Sequence, residues 1–225
     1  MNLVIIGAGG HGSEVHAYVL ALQSKDSSLK LLGAVDDVRP PGVWETTRLL
    51  GGFEALRNML LAQPREKFSY LTAVGHNETR RQLVTRVERL GCPNLEPWSL
   101  THPEAFLGHD VVIGRGTLVA PRAVLTAHVR IGDHSIINVK ASISHDCVIG
   151  NFTNINPGAT LCGNVRVGDG AFVGAGATVI EKRSIGANAI IGAGAVVIDD
   201  IPPDVTAVGV PARVISRRGA SPVSH

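Results

Sequence analysis

Aromatic residues are scarce: two Trp, two Tyr and five Phe among 225 residues, or 4%. A core built on large rings would not have this composition, so an internal repeat is the first thing to look for. Cysteine is nearly absent. Cys92, Cys147 and Cys162 are odd in number and lack CxxC spacing, which argues against a disulfide framework or a zinc site and suits a reducing cytoplasm. Excess charge of either sign is lacking too. The net charge is +2 and Lys and Arg do not cluster, so a nucleic-acid-binding or polybasic membrane surface is not expected. No apolar run approaches the roughly 20 residues of a membrane span. Met1-Asn2-Leu3 runs straight into Val4-Ile5-Ile6 and a Gly-rich turn, unlike the basic start and longer apolar core of a secretory signal.

What is present divides into two halves of different period. The first reads as alternating strands and helices. Leu3–Ile6, Leu31–Val35 and Tyr70–Val74 are strand candidates, the second ending in Asp36-Asp37. Gly12–Leu22, Gly52–Leu61 and Asn77–Leu90 have helical spacing. In the last, Leu83, Val84, Val87 and Leu90 share a face and Asn77 serves as N-cap. The order βαβαβα implies a small, mostly parallel, Rossmann-like sheet over residues 1–100.

The second half steps by six. From Leu107 through Ile113, Val119 and Leu125 to Ile191 and Val197, every sixth residue is Leu, Ile or Val, without insertion or deletion. Four residues after each comes mostly a small residue, such as Ala123, Ser135, Ala141, Thr153 or Ala159, with Arg183 the clear exception. Glycine recurs just after the apolar position, as at Gly108, Gly114, Gly132, Gly150 and Gly168. Three hexads make one triangular coil whose aliphatic residues point inward and whose corners need small or φ-permissive residues. Coils stack at about 4.8 Å and share one narrow core. Residues 101–225 are therefore expected to form an all-β domain, a left-handed parallel β-helix with a C-terminal tail. A β-sandwich would not keep a register of six for so long.

His109, His128, His134 and His145 fall on turn positions of the hexad and are expected to point outward. His145 stands apart because Asp146 follows it, and a carboxylate can orient an imidazole and raise its basicity. Cys147 takes an inward, small-residue position and is expected to be buried and inert, whereas Cys162 lies at a turn. In the first half, Gly7-Ala8-Gly9-Gly10-His11-Gly12 satisfies G-x-G-x-x-G between a strand and a helix, where backbone N–H groups can meet phosphate. That motif fits NAD, with Asp36 on a ribose, and it also fits a purely structural turn. The domain is too short for both halves of a dinucleotide site. Gly75-His76-Asn77 would lie at the same carboxyl edge of the sheet, as ligand contacts or as a helix cap.

Residues 142–168, SISHDCVIGNFTNINPGATLCGNVRVG, together with GAGGHG, VGHNETR, THPEA and VGVPAR, resemble the NeuD/PglD-type sugar acyltransferases of the hexapeptide-repeat superfamily. The resemblance spans nearly the whole chain. It implies an acetyl-CoA-dependent N-acetyltransferase acting on a nucleotide-linked amino sugar in cell-surface glycan biosynthesis. It implies His145 as general base with Asp146 as its acidic partner, and Gly163 as the N–H donor to the acyl carbonyl. Several relatives carry a second His, contacting acyl-CoA, where this chain has Asn154. The nucleotide-sugar diphosphate is then expected on Gly9, Gly10 and His11, with Asp36 or Asp37 near the nucleoside and Gly75 and Asn77 at the same edge. The family also implies a homotrimer with shared sites, without NAD or metal. O-acetylation of sialic acid or another sugar is the nearest alternative. A non-catalytic nucleotide-sugar-binding protein is another. A zinc enzyme of the γ-carbonic anhydrase type is disfavoured, because position 150, where its third His would be expected, is Gly.

Overall fold

The computed structural model describes residues 1–217, which divide into two compact units, the first Met1–Pro103 and the second beginning at Glu104.

In the first unit β1 (Asn2–Ile6), β2 (Lys30–Val35) and β5 (Phe68–Thr72) form a parallel centre. Helices α1 (Gly10–Gln23), α2 (Phe53–Ala62) and α3 (Asn77–Arg89) connect the strands. The sequence pattern misses a hairpin, β3 (Gly42–Trp44) and β4 (Thr47–Gly51), and a parallel edge strand, β6 (Leu95–Pro97). The sheet order is β3-β4-β2-β1-β5-β6. β3 and β6 are three residues long, too short to display a period, Pro40-Pro41 precedes the first of them, and the TRLLG of β4 does not alternate apolar with polar residues. Val4, Ile6, Val35, Leu56, Leu60, Phe68 and Tyr70 make the core on one side of the sheet. The expectation that Asn77 caps α3 is corrected. His76 is the N-cap, and its Nδ1 accepts the Thr79 N–H at 3.3 Å, so Asn77 is already the first helical residue. An imidazole with an open nitrogen can take the role usual for Asn or Ser.

The second unit is a left-handed parallel β-helix of two-residue strands in three sheets. Partners lie eighteen residues apart, as in Ile137↔Ile155, Ile143↔Leu161 and Ile149↔Val167, so three hexads close one coil. The inward residues from Val119 to Val197 are buried, while Leu107 and Ile113, at the first coil, are half-buried. The last described strands form an antiparallel pair, Val205–Val208 with Arg213–Arg217.

The corners differ from the expectation in one respect. The φ-demanding position is three residues after the apolar one. Every sixth residue from Asp110 to Gly194 has φ between 52° and 68°. Side chains as different as Asp110, Arg122, His128, Lys140, Asp146 and Phe152 occupy it. The cost of the left-handed conformation, roughly 1–2 kcal/mol for a non-Gly residue, is offset by inter-coil hydrogen bonds such as Asp146 N–H to Ala127 O at 3.0 Å. The repeated glycines answer a different need. At Gly114, Gly132, Gly150, Gly168 and Gly186 an added Cβ would meet atoms of the next coil at 2.3–2.7 Å. They mark one closed corner of the prism. His134 also departs from the outward expectation. It is 7% exposed and stacks on Phe152 with ring centroids 5.2 Å apart.

Candidate active site

His145 follows the strand Ser142–Ile143 at a corner where, after Gly108 in the first coil, the coils carry Thr126, Ser144 and Cys162 instead of glycine. Its Nδ1 lies 2.7 Å from Asp146 Oδ2. A carboxylate only accepts, so the proton sits on Nδ1 and Nε2 keeps its lone pair. Asp146 can reach back to the preceding residue because its backbone is left-handed, at φ 61°. Both side chains are about half exposed.

One coil further on, at the same corner, lies Gly163. A Cβ built there would come within 2.6 Å of His145 Cε1 and Nε2. The imidazole therefore occupies the room that the missing side chain leaves. At the closed corner the equivalent backbone N–H groups are capped by the next coil: Arg115 by Asp133, Asp133 by Asn151 and Asn151 by Asp169, at 2.7–2.8 Å. The corner of His145 has no such side-chain ladder among the described residues. The Gly163 N–H, beside the imidazole, is without an acceptor there. An unpaired donor next to a basic nitrogen is the arrangement that can stabilise an oxyanion while a proton is removed.

Asn154 lies on a different sheet, paired with Ile136 and Phe172, and is 3% exposed. A single chain does not bring it to His145. Cys147 is fully buried, its Sγ donating to Cys162 O at 3.1 Å, and burial raises its thiol pKa. The burial matches the sequence expectation. Cys162 is half-buried.

In the first unit, Gly7 turns the chain at φ 105° and Gly9 caps α1 with no side-chain partner. Open space surrounds the Cβ positions of Gly9, Gly10 and Gly75, whereas a Cβ on Gly12 would strike Gly7 O at 2.5 Å. The loop thus has an open face and a packed one. The His11 imidazole bonds Glu14 at 2.9 Å through Nδ1, and its Nε2 is buried with no partner among the described residues. Asp36 accepts from the N–H groups of Ala8 and Val38 at 3.0 and 2.9 Å. Burial pushes its pKa upward, but the backbone donors of Ala8, Val38 and Arg39 outweigh that, and the pKa is lowered.

Asp37 caps α2 through Phe53 N–H at 3.2 Å and pairs with Arg86 at 2.6 Å. Arg86 in turn lies 4.1 Å above the Phe53 ring. Asp36, Asp37, Phe53, Val74 and Arg86 are among the residues that line a cavity of about 260 Å³ at the carboxyl edge of the sheet. Asn77 Oδ1 meets Arg80, which is fully buried and donates to Val74 O at 2.9 Å, fixing the shape of the 74–77 loop. Burial lowers the Arg80 pKa to about 9, and the guanidinium stays charged at neutral pH. Arg80, Arg86 and Phe53 were not singled out from the sequence; the only signal was that Arg80 closes VGHNETR.

The family model of the PglD N-terminal domain matches residues 2–87, and that of the bacterial transferase hexapeptide (six repeats) matches residues 146–181 and 164–199. The acetyltransferase domain of PglB from Neisseria gonorrhoeae, in complex with acetyl coenzyme A, is 33% identical. The match covers 95% of this chain and 98% of that one, with a TM-score of 0.82. The chain belongs to the NeuD/PglD-type hexapeptide-repeat acyltransferases. A mutant of perosamine N-acetyltransferase from Caulobacter crescentus, in complex with CoA and GDP-perosamine, is a second relative of this family. It is 33% identical over 96% of this chain and 97% of that one, with a TM-score of 0.85. The UDP-N-acetylbacillosamine N-acetyltransferase of Bacillus subtilis is 40% identical over 118 residues, which span 52% of this chain and half of that protein. Among the described residues of this family member no group of three His, Cys, Asp or Glu side chains is placed to hold a metal ion.

Proposed function

We propose that this chain transfers the acetyl group of acetyl-CoA to the amine of a nucleotide-linked amino sugar, in glycan biosynthesis. The observation that carries the reading is the corner itself, His145 held by Asp146 and resting on Gly163. Relatives matched over nearly their whole length and bound to acetyl coenzyme A or to CoA with GDP-perosamine supply the substrate classes.

In this reading His145 Nε2 takes a proton from the amine as its nitrogen attacks the thioester carbonyl. Asp146 keeps the ring in the useful tautomer, and the Gly163 N–H steadies the oxyanion. As the C–S bond breaks, the imidazolium returns the proton to the leaving thiolate, so CoA departs as the thiol. No acyl-enzyme is needed. Gly9, Gly10 and His11 receive the diphosphate at the open face of the loop, with Asp36, Asp37, Gly75 and Asn77 around the nucleoside end. The assembly is a homotrimer in which the Asn154 of one chain serves the cleft faced by the His145 of its neighbour. The separation of these two residues within one chain supports this, as do the exposed Phe106, Val112 and Val148 on the helix flanks. Three free cysteines suit a cytoplasmic enzyme.

Thermal stabilisation against UDP-, GDP-, dTDP- and CMP-amino sugars, followed by CoA-thiol release with those that bind, tests the reading. Thiol release with one amino-sugar nucleotide supports it. Binding without release favours a non-catalytic nucleotide-sugar protein, and a monomer in sedimentation removes the shared cleft.

A further inference from the structure

The edge that carries His145 and Asp146 carries a second imidazole–carboxylate pair. Asp110, His128 and Asp146 are eighteen residues apart, at φ 53°, 55° and 61°. The coils are bonded through this edge, His128 N–H to His109 O at 2.9 Å and Asp146 N–H to Ala127 O at 3.0 Å. His128 is thus one coil, about 4.8 Å along the axis, from Asp146. Its Nδ1 lies 3.2 Å from Asp110 Oδ2. Arg130 grips the same Asp110 through Oδ2 at 2.7 Å and through the backbone carbonyl at 2.6 Å. The hydrogen bond of Arg130, followed by that of His128, holds the Asp110 carboxyl at about 2, well below the usual range.

An ionised carboxylate assigns the His128 proton to Nδ1 and leaves Nε2 basic, the same state that Asp146 gives His145. The ring is about half exposed. The charged or titratable groups it touches are His109, edge-to-face at 5.6 Å, and Asp110, which Arg130 also holds; His145 and Asp146 follow one coil on at the same corner, where the Asp146 N–H meets Ala127 O. The transfer mechanism uses only one of these two bases.

The acceptor chemistry has a place for the other. An aliphatic amine near neutral pH is mostly ammonium and has no lone pair with which to attack. We propose that His128 takes this first proton, converting the bound ammonium to the free amine that His145 then assists. The inference rests on the N-acetyltransferase reading above. The protons balance. R–NH3⁺ and neutral His128 give R–NH2 and the imidazolium, which discharges to solvent. The amine then forms the N–C bond, and its second proton passes through His145 to the departing CoA thiolate.

The test is the pH dependence of kcat/KM for wild type and His128→Asn, from about pH 6 to pH 10. The acceptor is the amino-sugar nucleotide with which the wild type releases CoA. His128→Asn should lose about 10- to 100-fold near pH 7, at or below the lower limit of general-base effects. It should approach wild type above the pKa of the amine itself. Asp110→Asn should show a milder loss with the same pH dependence, and His145→Ala should be impaired at every pH. A loss in His128→Asn that is equal at all pH values, or none at pH 7, overturns the proposal. If His128→Asn melts far below wild type, His128→Gln is read by the same two criteria. Should the wild type release no CoA with any amino sugar, the transferase reading itself fails, an outcome distinct from a flat His128 profile.

Discussion

The imidazole of His145 lies against Gly163, eighteen residues on, so closely that a single methyl group on Gly163 would sit 2.6 Å from Cε1 and Nε2. The backbone of Gly163 is not in the left-handed region, so Gly163→Ala adds a steric conflict without backbone strain. The flexible partner is the half-exposed His145 ring, which should swing away. Displacing a reacting group by about an ångström can cost on the order of 100-fold. Gly163→Ala is expected to lower kcat by about that factor while the melting temperature stays within a few degrees. An unchanged kcat would mean that the ring position does not matter to turnover.

His145→Ala should lower kcat by about 100- to 10,000-fold, the range for removal of a general base, with little change in KM. Asp146→Asn should cost less. Asn tolerates the left-handed φ of 61° that Asp146 holds, so the substitution removes charge without disturbing the corner. Asp146→Ala adds a conformational penalty and should melt lower than Asp146→Asn. Equal melting of the two would show that the backbone at 146 does not depend on its side chain.

The cysteines separate direct from covalent transfer. Cys147 is fully buried and its thiol pKa is raised by burial, so it should resist thiol reagents in the native protein and react on unfolding. Cys162 is more accessible, and Cys162→Ser should keep most of the activity. A burst of CoA release without acceptor, lost in Cys162→Ser, would replace the direct scheme with an acyl-enzyme.

The hexad was legible because one aliphatic residue per strand points inward and the run from Leu107 to Val197 contains no indel. The left-handed corners were not, because inter-coil N–H bonds hold the backbone there whatever the side chain. Phe152 and Lys140 therefore give no sign that they occupy the conformation usually left to glycine. His145-Asp146 is visible as a dipeptide, whereas the relation of His145 to Gly163 appears only once three hexads are known to make one coil. In the first unit the three main strands followed from composition. The β3–β4 hairpin did not, since β3 has three residues and Thr47–Gly51, TRLLG, does not alternate apolar with polar side chains. The placing of His76 rather than Asn77 at the cap turns on an imidazole lone pair that residue preferences do not anticipate.

Asp36 ties the Gly-rich loop to the β2 end through Ala8 N–H, and its pKa is lowered by backbone donors. A depressed carboxylate stabilises the fold above its unfolded pKa, about 3.9, and this contribution is lost as pH falls through the lower folded value. Wild type should therefore melt above Asp36→Asn at neutral pH. The gap should narrow below about pH 4 and close once pH passes beneath the folded pKa. A gap independent of pH would mean that the Asn side chain disturbs the loop by its shape.

The same loop offers a pair of substitutions that separates binding from folding. Gly10 opens α1, and a Cβ there meets no atom within 4 Å. Gly12, two residues on, would drive a Cβ to 2.5 Å from Gly7 O and 3.4 Å from the Trp44 ring. Backbone against backbone cannot give way cheaply, so Gly12→Ala is expected to destabilise by about 1–3 kcal/mol, the usual range of overpacking. It should depress the melting temperature whether or not substrate is present. Gly10→Val should fold like wild type, because its side chain enters open space. That open space is where helix N–H groups would meet a diphosphate. Gly10→Val should therefore raise KM for the nucleotide sugar by about tenfold or more and leave KM for acetyl-CoA unchanged. If both KM values rise together at an unaltered melting temperature, the loop does not belong to the nucleotide-sugar site. If neither moves, the open face of the loop is not a phosphate site at all, and its glycines serve only the close packing that Gly12 and Gly7 display.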